Sequence, residues 1–274
     1  MDINLRLIQQ ESIQDRENYF ALQKSVALFP NKEISDKEGY EDRSWHEQFE
    51  NKNRICYVIE MLPESTYCGE CAVKDISDDI PEIEIELMKE HRHQGIGYKA
   101  IIMMLSQIVK EYGKQEFYVK IEPDNYASQF LFEKLSGKPA GVAKDFQISD
   151  ERVEQFVEKH RYLLDDKMQN IAKKFEVEAD LLLTHLLVYK LNYDDLQKID
   201  VTDTANKKEH IECLRVLSKE KFKDSMLEFL EDLEEIQKFG EEKEKITAKL
   251  AEMESKLLNR MERLKISGWN ESGV

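Results

Sequence analysis

The segment Arg92-His93-Gln94-Gly95-Ile96-Gly97-Tyr98 follows a run that alternates as a strand and opens a run spaced as a helix. A helix N-terminus presents unpaired N–H groups and the positive end of a dipole, which suits an anion. Gly95 and Gly97 remove side chains so that a diphosphate can approach those amides, and Arg92 adds positive charge. The spacing falls short of a dinucleotide GxGxxG, and no Walker lysine-serine pair follows. Alone it suits a tight β-to-α turn equally well. Just upstream, Glu82, Glu84 and Glu86 alternate with Ile83, Ile85 and Leu87, so the carboxylates share one strand face. Bordering a cleft, such a row raises at least one pKa by mutual repulsion and attracts a cationic amine. Elsewhere it is a solvated strand face.

A second segment adds to the first. Residues 121–135 read I-E-P-D-N-Y-A-S-Q-F-L-F-E-K-L and run from a strand into a short helix. R-x-x-G-x-G after an alternating strand, then N-x-x-S-x-x-L-[YF]-E-K-L, resembles the GNAT superfamily of acyl-CoA N-acyltransferases over residues 1–145. The resemblance implies that Arg92, His93, Gln94, Gly95, Ile96, Gly97 and Tyr98 hold the coenzyme A pyrophosphate. It implies that the preceding strand splays from its neighbour and pairs its backbone with pantetheine, here through Ile85, Glu86, Leu87 and Met88. Asn125 matches the asparagine that contacts the cofactor arm, Ser128 lies one turn further on, and Phe132 stands where the family frequently has tyrosine as the thiolate acid. Phenylalanine has no proton to give; Tyr98, Tyr126 or water would have to replace it. The chemistry also needs a base for the amine proton. Glu84 and Glu82, then Glu86, are the candidates, with Glu122 after the next strand as a further one.

The elements that must position these residues are legible in part. Residues 3–8 alternate as a strand and 11–28 as a helix; 54–61, 67–74 and 81–88 read as strands, 98–112 as an apolar helix, 116–121 as a strand and 127–135 as a short helix. The stretch 137–146 lacks the family's usual aromatic Gly-Phe strand start, so the last strands of the fold are expected to be rebuilt with help from later residues. All five prolines lie in the first 139 residues, and 142–239 contains neither glycine nor proline. This divides the chain into an α+β acetyltransferase domain, 1–147, with a central, mostly antiparallel sheet, and an all-α extension, 148–274. In the extension 153–164, 166–175 and 179–191 read as helices. A coiled-coil-like segment is expected over 207–266, where apolar residues recur at three, four or seven and Gly240 interrupts.

The chain of 274 residues carries 40 basic and 56 acidic side chains, a net charge of −16, spread as −10 over residues 1–150 and −6 over the rest. Neither half has the basic excess that nucleic acid or an anionic membrane attracts. The longest nearly apolar run, 181–191, is too short for a bilayer, and the first thirty residues hold no apolar block, which leaves a cytoplasmic protein as the expectation. Cys68-Gly-Glu-Cys71 has no second ligand pair, and His91 and His93 have no thiol or acidic partners, so no metal is expected. Residues 171–187 have a helix-turn-helix spacing, but the second helix is acidic and apolar and would repel phosphates. The expected function is transfer of an acetyl group from acetyl-CoA to a primary amine of an acceptor, a small molecule or a protein, with a homodimer through the C-terminal helices. The alternative is a non-catalytic GNAT-fold protein that binds acyl-CoA or acts as a scaffold through its coiled coil.

Overall fold

The computed structural model describes residues 2–26, 37–50, 52–145, 148–198 and 215–238. In chain order the elements are β1 (Ile3–Leu7), α1 (Ile13–Val26), α2 (Lys37–Glu50), β2 (Ile55–Met61), β3 (Thr66–Lys74), β4 (Glu82–Leu87), α3 (Ile96–Tyr112), β5 (Glu116–Ile121), α4 (Tyr126–Lys134), β6 (Lys138–Lys144), α5 (Val153–His160), α6 (Asp166–Phe175), β7 (His185–Asn192), α7 (Tyr193–Leu196) and α8 (Val216–Lys238). The seven strands form one sheet in the order β1-β2-β3-β4-β5-β7-β6. Every neighbouring pair is antiparallel except β4 and β5.

The alternation in β4 sorts its residues onto two faces. Ile83, Ile85 and Leu87 turn into the core, where α3 lays Ile101, Met104, Leu105 and Ile108, all fully buried. Gly97 in the first turn of α3 lets the helix sit close: a Cβ there would stand 3.4 Å from Ile85 and 3.5 Å from Leu87 side-chain carbons. Glu82, Glu84 and Glu86 project to the opposite face, where Gln23 of α1 reaches Glu86.

One expectation is corrected. Residues 179–191 do not form a helix; they make a 3₁₀ turn, Ala179–Leu183, and then the strand β7. β7 lies between β5 and β6; Leu187, Tyr189 and Leu191 share one face and are buried, as is Leu186, while Val188, Lys190 and Asn192 are half-buried. The nearly apolar residues 181–187 that lead into it mask the alternation of 187–192, and periodicity alone does not tell such a run from a buried helix. The end of the sheet is thus rebuilt by later residues, as the weak 137–146 stretch requires. One buried cluster joins the strands and α3 to Phe156 of α5, Met168, Ile171 and Phe175 of α6, and Leu217 of α8. Residues 217–225 of α8 already face the body of the protein, through buried Leu217, Ser218, Lys221 and Ser225. The rest of the expected coiled-coil segment, 207–214 and 239–266, lies outside the described residues. No helix among the described residues is long and apolar enough to cross a membrane.

Candidate active site

β4 and β5 run side by side only at their beginnings. Their one paired position is Glu82 with Tyr118, and the Tyr118 amide donates to Pro81 O at 3.1 Å. Beyond it the strands diverge, whereas β4 stays paired with β3 along its whole length, from Lys74↔Glu82 to Gly69↔Leu87. The Met88 amide donates to Cys68 O at 2.9 Å, which fixes the ladder's alternation. Backbone groups of Glu84, Glu86 and Met88 point to β3, and those of Ile83, Ile85 and Leu87 point to the gap. Of the four residues expected to pair with pantetheine, Ile85 and Leu87 therefore face the opening. Glu86 and Met88 do not, because β3 already takes their backbone groups. The gap is a cleft of about 360 Å³ whose far wall carries Val119, Ile121, Asn125, Ser128 and Phe132. Asn125 is the N-cap of α4: its side chain accepts from the Ser128 amide at 3.2 Å, and both residues are buried. Phe132 is 2% exposed. Tyr98 and Tyr126 are not among the residues lining this cleft.

The far end of β4 leads through a 3₁₀ turn, Lys89–His91, into the turn before α3. His93 and Gly95 both have positive φ, 57° and 77°, so the turn is tight, and Gly95 is the helix N-cap without any side-chain cap. A helix N-terminus without a side-chain cap suits an anion. His93, Gln94 and Gly95 are exposed, Ile96 and Gly97 are buried, and Arg92 and Tyr98 are half-buried. A Cβ on Gly95 would meet nothing within 4 Å, so the space over those amides is open. Arg92 folds back on the end of β4, with Nε and Nη2 donating to Leu87 O at 3.1 and 3.0 Å. It fastens the turn and keeps a cation beside it. These features fit a diphosphate-bearing ligand with an extended arm.

The acidic face of β4 is not a bare row of like charges. Glu82 is 5% exposed, with Lys120 Nζ at 2.7 Å and Lys74 Nζ at 3.5 Å. Glu84 meets Lys74 and has Arg54 Nη1 at 3.3 Å. Glu86 accepts from Gln23 Nε2 at 3.1 Å. Three cations, Lys74, Lys120 and Arg54, thus stand where mutual repulsion was expected to dominate. Glu122 is fully buried away from this face, its Oε2 held by Lys221 Nζ of α8 at 2.9 Å. Burial pushes its carboxyl up, with the Lys221 ammonium working against that.

The structure adds a carboxylate that sequence reasoning missed. Glu70 of β3 stands directly across the ladder from Glu86. It is 7% exposed and accepts from Tyr67 Oη at 3.0 Å and Cys56 Sγ at 3.8 Å. Burial pushes its carboxyl up to about 7, against the opposing pull of Tyr67 and Arg54. It borders a second cleft, of about 410 Å³, lined also by Tyr19 and Gln23 of α1, Gln48 of α2, Arg54, Glu84, Ile85 and Glu86. The signal was available. Glu70 is the one acidic residue of the stretch T-Y-C-G-E-C-A-V, but there the two cysteines drew the reading. Cys56, Cys68 and Cys71 are buried free thiols, and no group of three His, Cys, Asp or Glu among the described residues could hold a metal. The two clefts share Glu84 and Ile85, so they meet on either side of one strand.

A sheet split between parallel β4 and β5, with a glycine turn leading from β4 into α3, is the frame of this site. Residues 3–138 match the family model of the acetyltransferase (GNAT) domain, and this part of the chain belongs to the GNAT acetyltransferases. No curated protein matches the chain in sequence. Among solved structures it is similar to a spermidine N-acetyltransferase chimera from Vibrio cholerae, at 13% identity over 73% of this chain and 100% of that one, with a TM-score of 0.49. It is also similar to the spermidine N-acetyltransferase of Vibrio cholerae in complex with CoA and spermine, at 13% identity over 72% and 98%, TM-score 0.48. A domain from Methanocaldococcus jannaschii is 18% identical over 70% and 98%, TM-score 0.46.

Proposed function

We propose that this protein transfers an acetyl group from acetyl-CoA to a primary amine whose cationic form enters the cleft beside α1. The observation that carries this reading is the meeting of two clefts at Glu84 and Ile85, one between diverging strands and one lined by carboxylates. Acetyl-CoA supplies an acyl thioester, an acetyl group already activated for attack by a neutral amine. The chain does the rest. The first-turn amides of α3 and the Arg92 guanidinium bind the diphosphate, and the N–H groups of Ile85 and Leu87 hold the extended arm. Asn125, Ser128 and Phe132 form the opposite wall. Donors fixed on a strand favour charge developing on an acyl oxygen, because they need no reorganisation.

Glu84 and Glu86 attract the ammonium form of the acceptor, and Glu70 takes its proton at a carboxylate oxygen, directly or through one water. A base near neutrality suits that task, being ionised at working pH while still holding a proton once taken. Glu82 and Glu84 remain candidates of lower rank because Lys74, Lys120 and Arg54 already engage them. Glu122 serves α8 instead. With Phe132 in the cleft, the thiolate leaves unprotonated and takes its proton from water. That same residue favours a second reading, in which the chain binds acyl-CoA without turning it over and works as a scaffold. Calorimetric titration with CoA, followed by thiol release from acetyl-CoA over a panel of primary amines, separates the two: the enzyme gives both signals, the scaffold only binding. A homodimer through the C-terminal seam remains part of the proposal.

A further inference from the structure

The loop between β5 and α4 is held from outside as well as from inside. Inside, the Asn125 amide donates to Glu122 O at 2.9 Å and Gln129 Nε2 donates to Pro123 O at 2.9 Å. Outside, α8 supplies the partners. Lys221 Nζ lies 2.9 Å from Glu122 Oε2 and 3.0 Å from Asp145 Oδ2, with all three side chains within 2% of complete burial. Asp124 accepts from the Leu217 amide at 2.8 Å and from Ser218 Oγ at 3.2 Å, so its carboxylate caps the first turn of α8. Adjacent residues thus cap different helices, Asp124 the distant α8 and Asn125 its own α4.

Asn125 is a wall of the cleft between β4 and β5, and Ile121, one residue before this loop, is another. The chain between them is held by those internal bonds on one side and by α8 on the other. A buried ammonium between two carboxylates fixes position strongly, because moving either partner strands a charge away from water. We propose that α8 braces the cofactor cleft, with Lys221 and Asp124 as positioning residues that hold Asn125 and Ser128 at the distance a bound CoA arm requires. The inference rests on the acetyl-CoA reading above. It adds that cofactor affinity is set by a helix whose contacts to the loop span 93 and 94 residues of sequence, outside the segment that carries the family motifs. Loss of the contacts that α8 makes to this loop therefore weakens cofactor binding without touching a residue of the cleft.

The test uses the full chain and CoA as the probe in a calorimetric titration. Lys221→Met removes the ammonium, and Asp124→Ala removes the cap with less risk to folding. Lys159→Met is the control, because Lys159 ties α5 to Asp224 of the same helix at 2.8 Å without touching the loop. The brace predicts that Lys221→Met and Asp124→Ala each raise the CoA dissociation constant about tenfold, within the usual range of coupling between sites. It predicts that Lys159→Met leaves it unchanged, and that Lys221→Arg recovers part of the loss. In turnover, the KM for acetyl-CoA rises while kcat at saturating acetyl-CoA stays within about twofold. Parent-like affinity in folded Asp124→Ala overturns the brace, and so does an equal loss in Lys159→Met. Failure of the parent chain itself to bind CoA overturns the cofactor reading and this inference with it.

Discussion

Replacing Glu70 with glutamine separates a catalytic base from a structural carboxylate, because the two roles predict opposite changes in activity and stability. Glu70 is almost completely buried, and its carboxyl stands near 7 instead of the ordinary 4.5. A group with that pKa is about one-tenth ionised at pH 6 and about nine-tenths ionised at pH 8. The acidic limb of kcat/KM should therefore turn over near 7, and glutamine should abolish the limb and lower kcat by roughly 10²- to 10⁴-fold. Stability moves the other way. A raised carboxyl contributes stability that is fully present below its unfolded value near 4.5 and is lost as pH rises through about 7. A shift of that size corresponds to about 3 kcal/mol. Glutamine keeps an acceptor for Tyr67 and carries no charge to desolvate. Glu70→Gln should thus match the parent at pH 4 and exceed it by up to about 3 kcal/mol at pH 8.5. In a chain of this length each kcal/mol is worth about 2–4 °C in Tm. The assays are a pH series of initial rates and thermal melts at the two pH values. An unchanged acidic limb, or a variant less stable than the parent at pH 8.5, refutes the assignment. Loss of the limb in Glu84→Gln instead transfers the role to Glu84.

The remaining predictions concern the turn and the assembly. Gly95→Glu places a carboxylate over the first-turn amides of α3 in space that is open, at a φ of 77°. It should weaken CoA binding at least tenfold by calorimetry on the scale of about 1.4 kcal/mol, while Gly95→Ala, which shares the backbone strain without the charge, should lose much less; equal losses would remove charge repulsion from the explanation. Light scattering on the full chain at micromolar concentration should give a dimer mass through the C-terminal seam, the commonest closed assembly; a monomer mass sinks the dimer and leaves α8 as an intramolecular element only.

What the sequence made legible follows from which forces act locally. The turn at Arg92–Tyr98 and the strand-to-helix step through Asn125 are set by neighbouring residues, so their spacing was readable and the elements around them lie within a few residues of expectation; that Asn125 caps α4 came from the structure. β4 was readable because one face is apolar and the other acidic. β7 was not, because the nearly apolar residues 181–187 that lead into it hide the alternation of 187–192. α2 was not expected; among its described side chains Ser44 and Trp45 are the buried ones, with Trp45 Nε1 donating to Gln10 O at 3.0 Å. The site divided in the same way. The residues of the cofactor cleft share two short segments, so resemblance could find them, although only the ladder's alternation tells that Ile85 and Leu87, not Glu86 and Met88, face the gap. Glu70 depends on β3 pairing with β4, and the partners of Glu122 come from α8, nearly a hundred residues away. Long-range contacts of that kind leave no local pattern.

Amine-dependent release of the CoA thiol from acetyl-CoA by the full chain tests the central claim most directly. The account predicts that at least one primary amine of the panel raises the release rate above the amine-free blank, with a rate that climbs between pH 6 and pH 8. A panel in which no amine raises the rate above that blank, while the chain binds CoA, would contradict catalysis and leave the scaffold reading in its place.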